Sequence, residues 1–230
     1  GRDLTGFVTV EGPTVFNNEV IATYTYVYTV SDKETRGSTL PDGTPVTTSV
    51  TRSVQVDDLT PPRIQLFGEE SLNVEAATPS YTDAGAEAID NYDGGTTLIP
   101  TSNNINLIQT GTYSVLYDFT DSRGNVADTV KRTVNVVDTT LPVIELYGQT
   151  IDFVDLNSTY KDVGAYATDT LDGHLTEKIV VTDPIPQAIA DKNIGTHYIN
   201  YDVTDGAGNS AITVSRTIVV LGNDGKGPQI

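Results

Sequence analysis

The chain contains no cysteine, no methionine and no tryptophan, and only two histidines. The missing thiols exclude disulfides, thiolate-held zinc and thiol catalysis in one step. Basic residues are scarce: 13 Lys and Arg stand against 31 Asp and Glu, a formal charge of -18. Such a field repels nucleic acid and anionic membrane surfaces, so neither is expected as a partner, and cations are. No stretch approaches the roughly 18 to 20 apolar residues of a membrane span, and no membrane insertion is expected within this segment. What is present is Val, Ile, Tyr and much Thr within a 37% hydrophobic chain, the residue usage of pleated, half-buried strands.

The chain repeats itself. DLTPPRIQLFG from Asp58, YTDAGAEAIDNYDGG from Tyr81, GTYSVLYDFTDSRGN from Gly111 and KRTVNVVD up to Asp138 return as DTTLPVIELYG from Asp138, YKDVGAYATDTLDGH from Tyr160, GTHYINYDVTDGAGN from Gly195 and SRTIVV up to Val220. Two full repeats follow, at 59–138 and 139–224. Residues 1–58 read as a partial repeat lacking its first strands, since YTYVYTVSD from Tyr24 and VTRSVQVDD match only the later motifs. Residues 225–230, containing GPQI, read as the start of a further repeat. The chain therefore reads as a window on a longer array, with the alternative that half-repeats of identical chains complete one another by strand complementation.

Alternation places Tyr113, Val115, Tyr117 and Phe119 on one face of a strand, with Tyr24, Tyr26, Tyr28 and Val30, or His197, Ile199, Tyr201 and Val203, in the same places. An Asp-led turn follows, in which Gly124 or Gly208 supplies positive φ. The returning strand carries Arg52, Arg132 or Arg216 at an inward parity. A carboxylate such as Asp83 or Asp162 accepts that guanidinium, or a bulge turns it outward. Short strands and frequent turns predict an all-β chain of tandem immunoglobulin-like antiparallel β-sandwiches, about seven strands per repeat, with almost no helix. The hairpin loop Lys33 to Thr47 is elongated and reads as a rigid secondary hairpin or a binding loop.

The motif order, D-x-T-x-P-x-I-x-L-x-G, Y-x-D-x-G-A-x-A-x-D-x-x-D-G, G-T-Y-x-V-x-Y-x-x-T-D-x-x-G-N and R-T-V-x-V-V-D, resembles the bacterial surface immunoglobulin-like repeat family, akin to the hyalin-repeat group. The resemblance implies small sandwiches in long arrays on secreted and cell-surface proteins, serving as spacers or attachment modules, with no catalytic residues.

Calcium takes six to eight hard oxygen ligands at flexible geometry, which clusters of Asp and Asn in loops and linkers can supply. One candidate cluster joins the linker residues Asp57, Asp58, Asp138 and Asp224 to Asp90, Asp93, Asp169 and Asp172 of the D-x-x-D-G segments. A second lies in the hairpin turns, at Asp121, Asn125, Asp205 and Asn209. The competing reading makes each Asp a turn former that accepts backbone N–H groups and needs no metal. His197 stands at a packing position and His174 in a loop, and no nucleophile motif occurs, so no enzyme is expected. The expected role is an extracellular or cell-surface spacer, adhesin or filament segment with calcium at repeat junctions. The partners are neighbouring repeats of the same chain. Alternatives are a glycan- or protein-binding module, for which Tyr92 and Tyr166 are the available rings, and accessory domains of a secreted polysaccharide-degrading enzyme.

Overall fold

The computed structural model describes residues 8–31, 39–44 and 46–222. Asp224, the GPQI segment, the first seven residues, the stretch from Asp32 to Ser38 and Pro45 lie outside the described residues. β1 (Val8–Glu11), β2 (Ala22–Ser31) and β3 (Thr47–Val56) form an antiparallel sheet in that order. In the elongated loop, Gly43 N–H donates to Leu40 O (2.8 Å) and Thr44 N–H to Asp42 Oδ1 (2.9 Å), a tight turn at Pro41-Asp42-Gly43.

Each later repeat has seven strands. The first contributes β4 (Arg63–Leu66), β5 (Ser71–Glu75), β6 (Ala86–Asp90), β7 (Gly94–Leu98), β8 (Ser102–Asn103), β9 (Gly111–Tyr117) and β10 (Val130–Val137). The second contributes β11 (Val143–Leu146), β12 (Ile151–Asp155), β13 (Ala165–Asp169), β14 (Gly173–His174), β15 (Val180–Thr182), β16 (Gly195–Asp202) and β17 (Val214–Leu221). Sheet orders match strand for strand: β4-β6-β7 and β5-β10-β9-β8 in one, β11-β13-β14 and β12-β17-β16-β15 in the other. One pairing departs from the antiparallel expectation. β5 runs parallel to β10 (Val134 opposite Leu72) and β12 parallel to β17 (Ile218 opposite Asp152). Those partners are separated by most of a repeat, the long connection that a parallel pair requires and that local alternation does not reveal.

Contacts group the chain into two compact units, Gly1–Phe67 with Gly85–Pro100 and Tyr117–Val130, and Gly68–Ala84 with Thr101–Leu116 and Lys131–Ile230. The repeat 139–224 lies wholly in the second. Its two sheets enclose a core in which Ile144, Ala167 and Leu175 meet Val154, Ile199, Tyr201, Ile218 and Val220. Each of the larger aliphatic side chains stabilises the fold by about 1.5–3 kcal/mol. The longer loop at 183–194 holds the single α-helix among the described residues, α1 (Ile185–Ala190), which drops Ile185 and Ala188 into that core.

The recurrent inward arginine is buried in both full repeats: Arg132 and Arg216 are each 1% exposed. Arg132 Nε lies 2.8 Å from Asp83 Oδ2, and Arg216 Nε lies 2.8 Å from Asp162 Oδ1. Arg216 also donates through Nη2 to Tyr147 O (2.7 Å) and Gly164 O (2.9 Å), so its fork is satisfied across several segments. Arg52 is exposed instead. His197 takes over a tyrosine role: its Nε2 meets Asn193 O at 3.0 Å, as the phenols of Tyr113 and Tyr24 donate to Gln109 O and Asn17 O at 2.9 Å.

Candidate metal centres

Three loops converge at one end of each full repeat. In the first, they bring Asp58 from the linker, Asp90 from the end of β6 and Asp121 from the turn after β9 together, with one carboxylate oxygen of each within 4.8 Å of the others. All three are only 7% exposed. Asp138, Asp169 and Asp205 form the same trio in the second repeat. There Asp138 and Asp205 are buried, and Asp169 is half-buried as a residue while its Oδ2 is shielded from solvent.

The local chemistry explains why these loops fold as they do. Asp58 Oδ1 accepts the N–H of Thr60 (3.1 Å), and Asp138 Oδ1 that of Thr140 (3.2 Å), the reason for the D-x-T spacing. Asp90 Oδ1 accepts from Tyr92 (2.7 Å) and Asp93 (2.9 Å), and Asp169 Oδ1 from Leu171 (2.8 Å) and Asp172 (3.0 Å). Asp121 Oδ1 takes the N–H groups of Arg123 (2.9 Å) and Asn125 (2.8 Å), and Asp205 Oδ1 those of Gly208 (2.7 Å) and Asn209 (2.8 Å). Turn forming thus occupies one oxygen of each carboxylate. The Oδ2 atoms of Asp58, Asp90, Asp138 and Asp169 are buried with no hydrogen-bond partner. A buried carboxylate oxygen without a donor carries its full desolvation penalty.

The remaining predicted ligands do other work. Asn125 Nδ2 donates to Asp58 O (3.1 Å) and Asp121 Oδ2 (2.8 Å), and Asn209 Nδ2 to Asp138 O (3.1 Å) and Asp205 Oδ2 (2.8 Å), tying the linker to the turn. Asp93 stays outside its trio: its carboxylate takes the N–H and hydroxyl of Ser122, both at 2.7 Å. Asp172 likewise accepts the N–H of Gly206. The two loops are clasped by these residues, which explains the second Asp of D-x-x-D-G. Asp57 pairs with Arg123, at 2.6 Å from Nη2.

Two contacts escape sequence reasoning. Glu75, at the end of β5, accepts Thr139 N–H (2.8 Å), Thr139 Oγ1 (2.9 Å) and Thr140 Oγ1 (2.9 Å), holding the linker beside Asp138. Its partner is 64 residues away, and no motif marks it. The convergence of linker and turn aspartates on one point is the other, since the sequence divides them into separate clusters.

Electrostatics separate the members of a trio. Burial drives the Asp138 carboxyl up, the Thr140 N–H opposes it, and the neighbouring charges of Asp169, Asp205 and Glu75 add to the rise. At Asp205, burial acts upward too, but the Asn209 side chain and the N–H groups of Asn209, Gly208 and Ala207 outweigh it and hold the carboxyl below its ordinary value. Asp121 is lowered in the same way by Asn125, Arg123 and Gly124. No histidine joins either trio. The donors are all hard oxygens, the set that suits calcium or magnesium and not zinc or copper.

Paired sheets of seven strands, repeated with the same order and the same loop cluster, define a chain of tandem immunoglobulin-like β-sandwich repeats. The model of the family described as "Bacterial surface protein, Ig-like domain" matches residues 64–136 and 144–220, and the chain belongs to that family. Hyalin of Lytechinus variegatus is 33% identical over 122 residues, 52% of this chain and 23% of hyalin, so the chain spans under a quarter of that relative. Among solved structures, ZmpB of Clostridium perfringens, a catalytic domain with two CBM51 domains, is similar at TM-score 0.28 and 16% identity over 96% of this chain and 28% of that one. A protocadherin gammaB7 cis-dimer is similar at TM-score 0.34 and 14% identity, over 94% of this chain and 66% of that one.

Proposed function

We propose that the chain is a non-catalytic spacer stretch of an extracellular surface protein, in which each full repeat holds one calcium ion between its linker aspartate and two loop aspartates. The observation that carries this reading is the pair of buried trios, each with carboxylate oxygens that lack any donor. Three carboxylates held close without a counter-charge repel one another, and a divalent cation converts that repulsion into coordination. Carboxylates alone supply part of a calcium shell, and water or loop carbonyls complete it. Because Asp58 and Asp138 sit where one repeat ends and the next begins, an ion there stiffens the connection, which is what a stalk or adhesin shaft requires. Calorimetric titration of the calcium-free chain tests it: two sites per chain, reduced to one by Asp90→Asn, support the reading, and an absence of binding at millimolar calcium refutes it.

A second reading has its own observation. Tyr92, half exposed, borders a groove of about 400 Å³ that is also lined by Asn18, Glu19 and Asn91, a ring with polar neighbours of the kind that takes a sugar. Glycan-array binding that disappears in Tyr92→Ala would favour this attachment role, and an array without signal would remove it.

A further inference from the structure

The turn that ends β12 is not a copy of its sister. After β5 of the first repeat the chain is drawn inward: Ala76 is 4% exposed and donates to Val137 O (2.7 Å), and Ala77 donates to Leu107 O (2.7 Å). After β12 the chain reads Leu156-Asn157-Ser158-Thr159 instead. Leu156 packs against the core and its N–H donates to Leu221 O (3.2 Å), which fixes the base of the turn. Asn157, Ser158 and Thr159 are all exposed. Ser158 closes the turn through its N–H (3.0 Å) and its hydroxyl (2.8 Å), both donated to Asp155 O. The Asn157 amide and the Thr159 hydroxyl make no hydrogen bond among the described residues. A loop asparagine ordinarily spends its side chain on nearby backbone. Asn103 and Asn106 do so by accepting the N–H groups of Ile105 and Ile108 (both 3.2 Å), and Asn125 and Asn209 hold the linkers. Of the 14 asparagines in the chain, Asn157 is also the one with Ser or Thr two places on and no proline between, the spacing of an N-glycan acceptor, so a single site is at issue.

We infer that Asn157 is the acceptor of one N-linked oligosaccharide, transferred outside the cytosol from a lipid diphosphate carrier. In that transfer Asn157 Nδ2 attacks the anomeric carbon of the first sugar, and the new C–N bond forms as the bond from that carbon to the diphosphate oxygen breaks. The lipid diphosphate leaves with the electron pair, and the nitrogen gives up one proton to a basic group of the transferase. An amide nitrogen is a weak nucleophile because its lone pair is shared with the carbonyl, so the transferase has to grip and turn the side chain. A side chain committed to the fold resists that, and Asn157 is not committed. The free Thr159 hydroxyl offers a donor and an acceptor for the grip. The exposed Asp155 carboxylate, two places ahead of the asparagine, offers a charge for a basic groove to hold. Only the exposed bonds of Ser158 to Asp155 O have to open for the segment to extend, a local event at the surface. Beside the turn, Thr159 and Tyr160 border a groove of about 320 Å³ with Ile185, Pro186 and Ile189, where the first sugar ring has room to lie. The inference rests on the extracellular location in the proposed function and not on the cation sites.

The full chain, carried by an export signal into the periplasm of a bacterium that expresses an oligosaccharide transferase and a lipid-diphosphate-linked oligosaccharide of known mass, tests it. Export is supplied by the host, so a failure there counts against the site and not against the native location. The expected result is an intact mass raised by one oligosaccharide, with the sugar on the tryptic peptide of residues 133–161. Transfer is expected to be lost in Asn157→Gln and in Thr159→Ala and kept in Thr159→Ser. Because the Asn157 side chain bonds nothing, the thermal melt of Asn157→Gln should superimpose on that of the unmodified parent, which separates loss of the acceptor from loss of the fold. An unmodified chain in cells that glycosylate a control acceptor peptide, or a sugar that persists in Asn157→Gln, overturns the assignment. Protein recovered from its own cell surface should carry a sugar on the same peptide, and an unmodified peptide there overturns it as well.

Discussion

Each trio aspartate divides its labour between two oxygens, and substitutions can be chosen to separate them. Asp90→Asn keeps the Oδ1 acceptor used by Tyr92 and Asp93 but replaces the orphaned Oδ2 with a donor facing two carboxylates. Without calcium this substitution removes a like charge, so the variant is expected to unfold at higher denaturant than the parent. With calcium the order is expected to reverse, because the ligand is gone. The buried arginine supports a second prediction. Asp162→Ala leaves the Arg216 guanidinium desolvated and short of its counter-ion, and a loss of about 3–5 kcal/mol in equilibrium unfolding is expected. Tyr201, whose phenol is pushed up to about 12 by burial and then by its hydrogen bond to Asp162, reports on the same cluster. Tyr81 and Tyr160 are also raised to about 12, each chiefly by burial. An acid raised in the fold contributes stability that is complete below pH 10, the ordinary phenol value, and is lost as pH climbs toward 12. Phenolate absorbance should therefore show a late group that ionises together with unfolding; ionisation of Tyr81, Tyr160 and Tyr201 well before unfolding would contradict the buried assignment.

At the scale of elements, the TD-x-x-G-N turns are the parts on which most depends. Each positions an aspartate of the trio, the asparagine that ties down the linker, and a backbone N–H or serine that the D-x-x-D-G loop clasps. Gly208 sits at φ 98°, and Gly208→Ala would force a Cβ into the left-handed region. The expected loss is roughly 1–2 kcal/mol in denaturant unfolding, accompanied by weaker calcium binding at the second trio alone. Much of this was readable in the chain: the tandem repeats in motif order, the hairpins in period-two alternation, the positive-φ glycines in the turn spacing, and the arginine and its aspartate in parity. Alternation reports which face a side chain takes but not which distant strand lies beside it. That is why the parallel pairing of β5 and β12 and the Glu75 clamp on Thr139 were invisible. Arg52 shows the same limit from the other side, since its parity matches Arg132 while it stands exposed.

Taken as a whole, the molecule repeats a loop cluster as faithfully as it repeats a core, and this couples the acidic composition to its architecture. Most of the 31 acidic residues serve no trio and keep the surface charged, while six are drawn inward where charge without a partner is unfavourable. Cation binding to the folded state alone stabilises it by mass action: at about 100 times Kd the gain is about 2.7 kcal/mol per site, a Tm rise on the order of 10–20 °C for domains of this size. Thermal unfolding of the full chain with millimolar calcium and with chelator, beside the Asp90→Asn/Asp169→Asn double variant, tests the account most directly. The account predicts a calcium-dependent rise in the parent that is abolished in the double variant. Superimposable melts of the parent in calcium and in chelator would show that the aspartates are turn formers and nothing more.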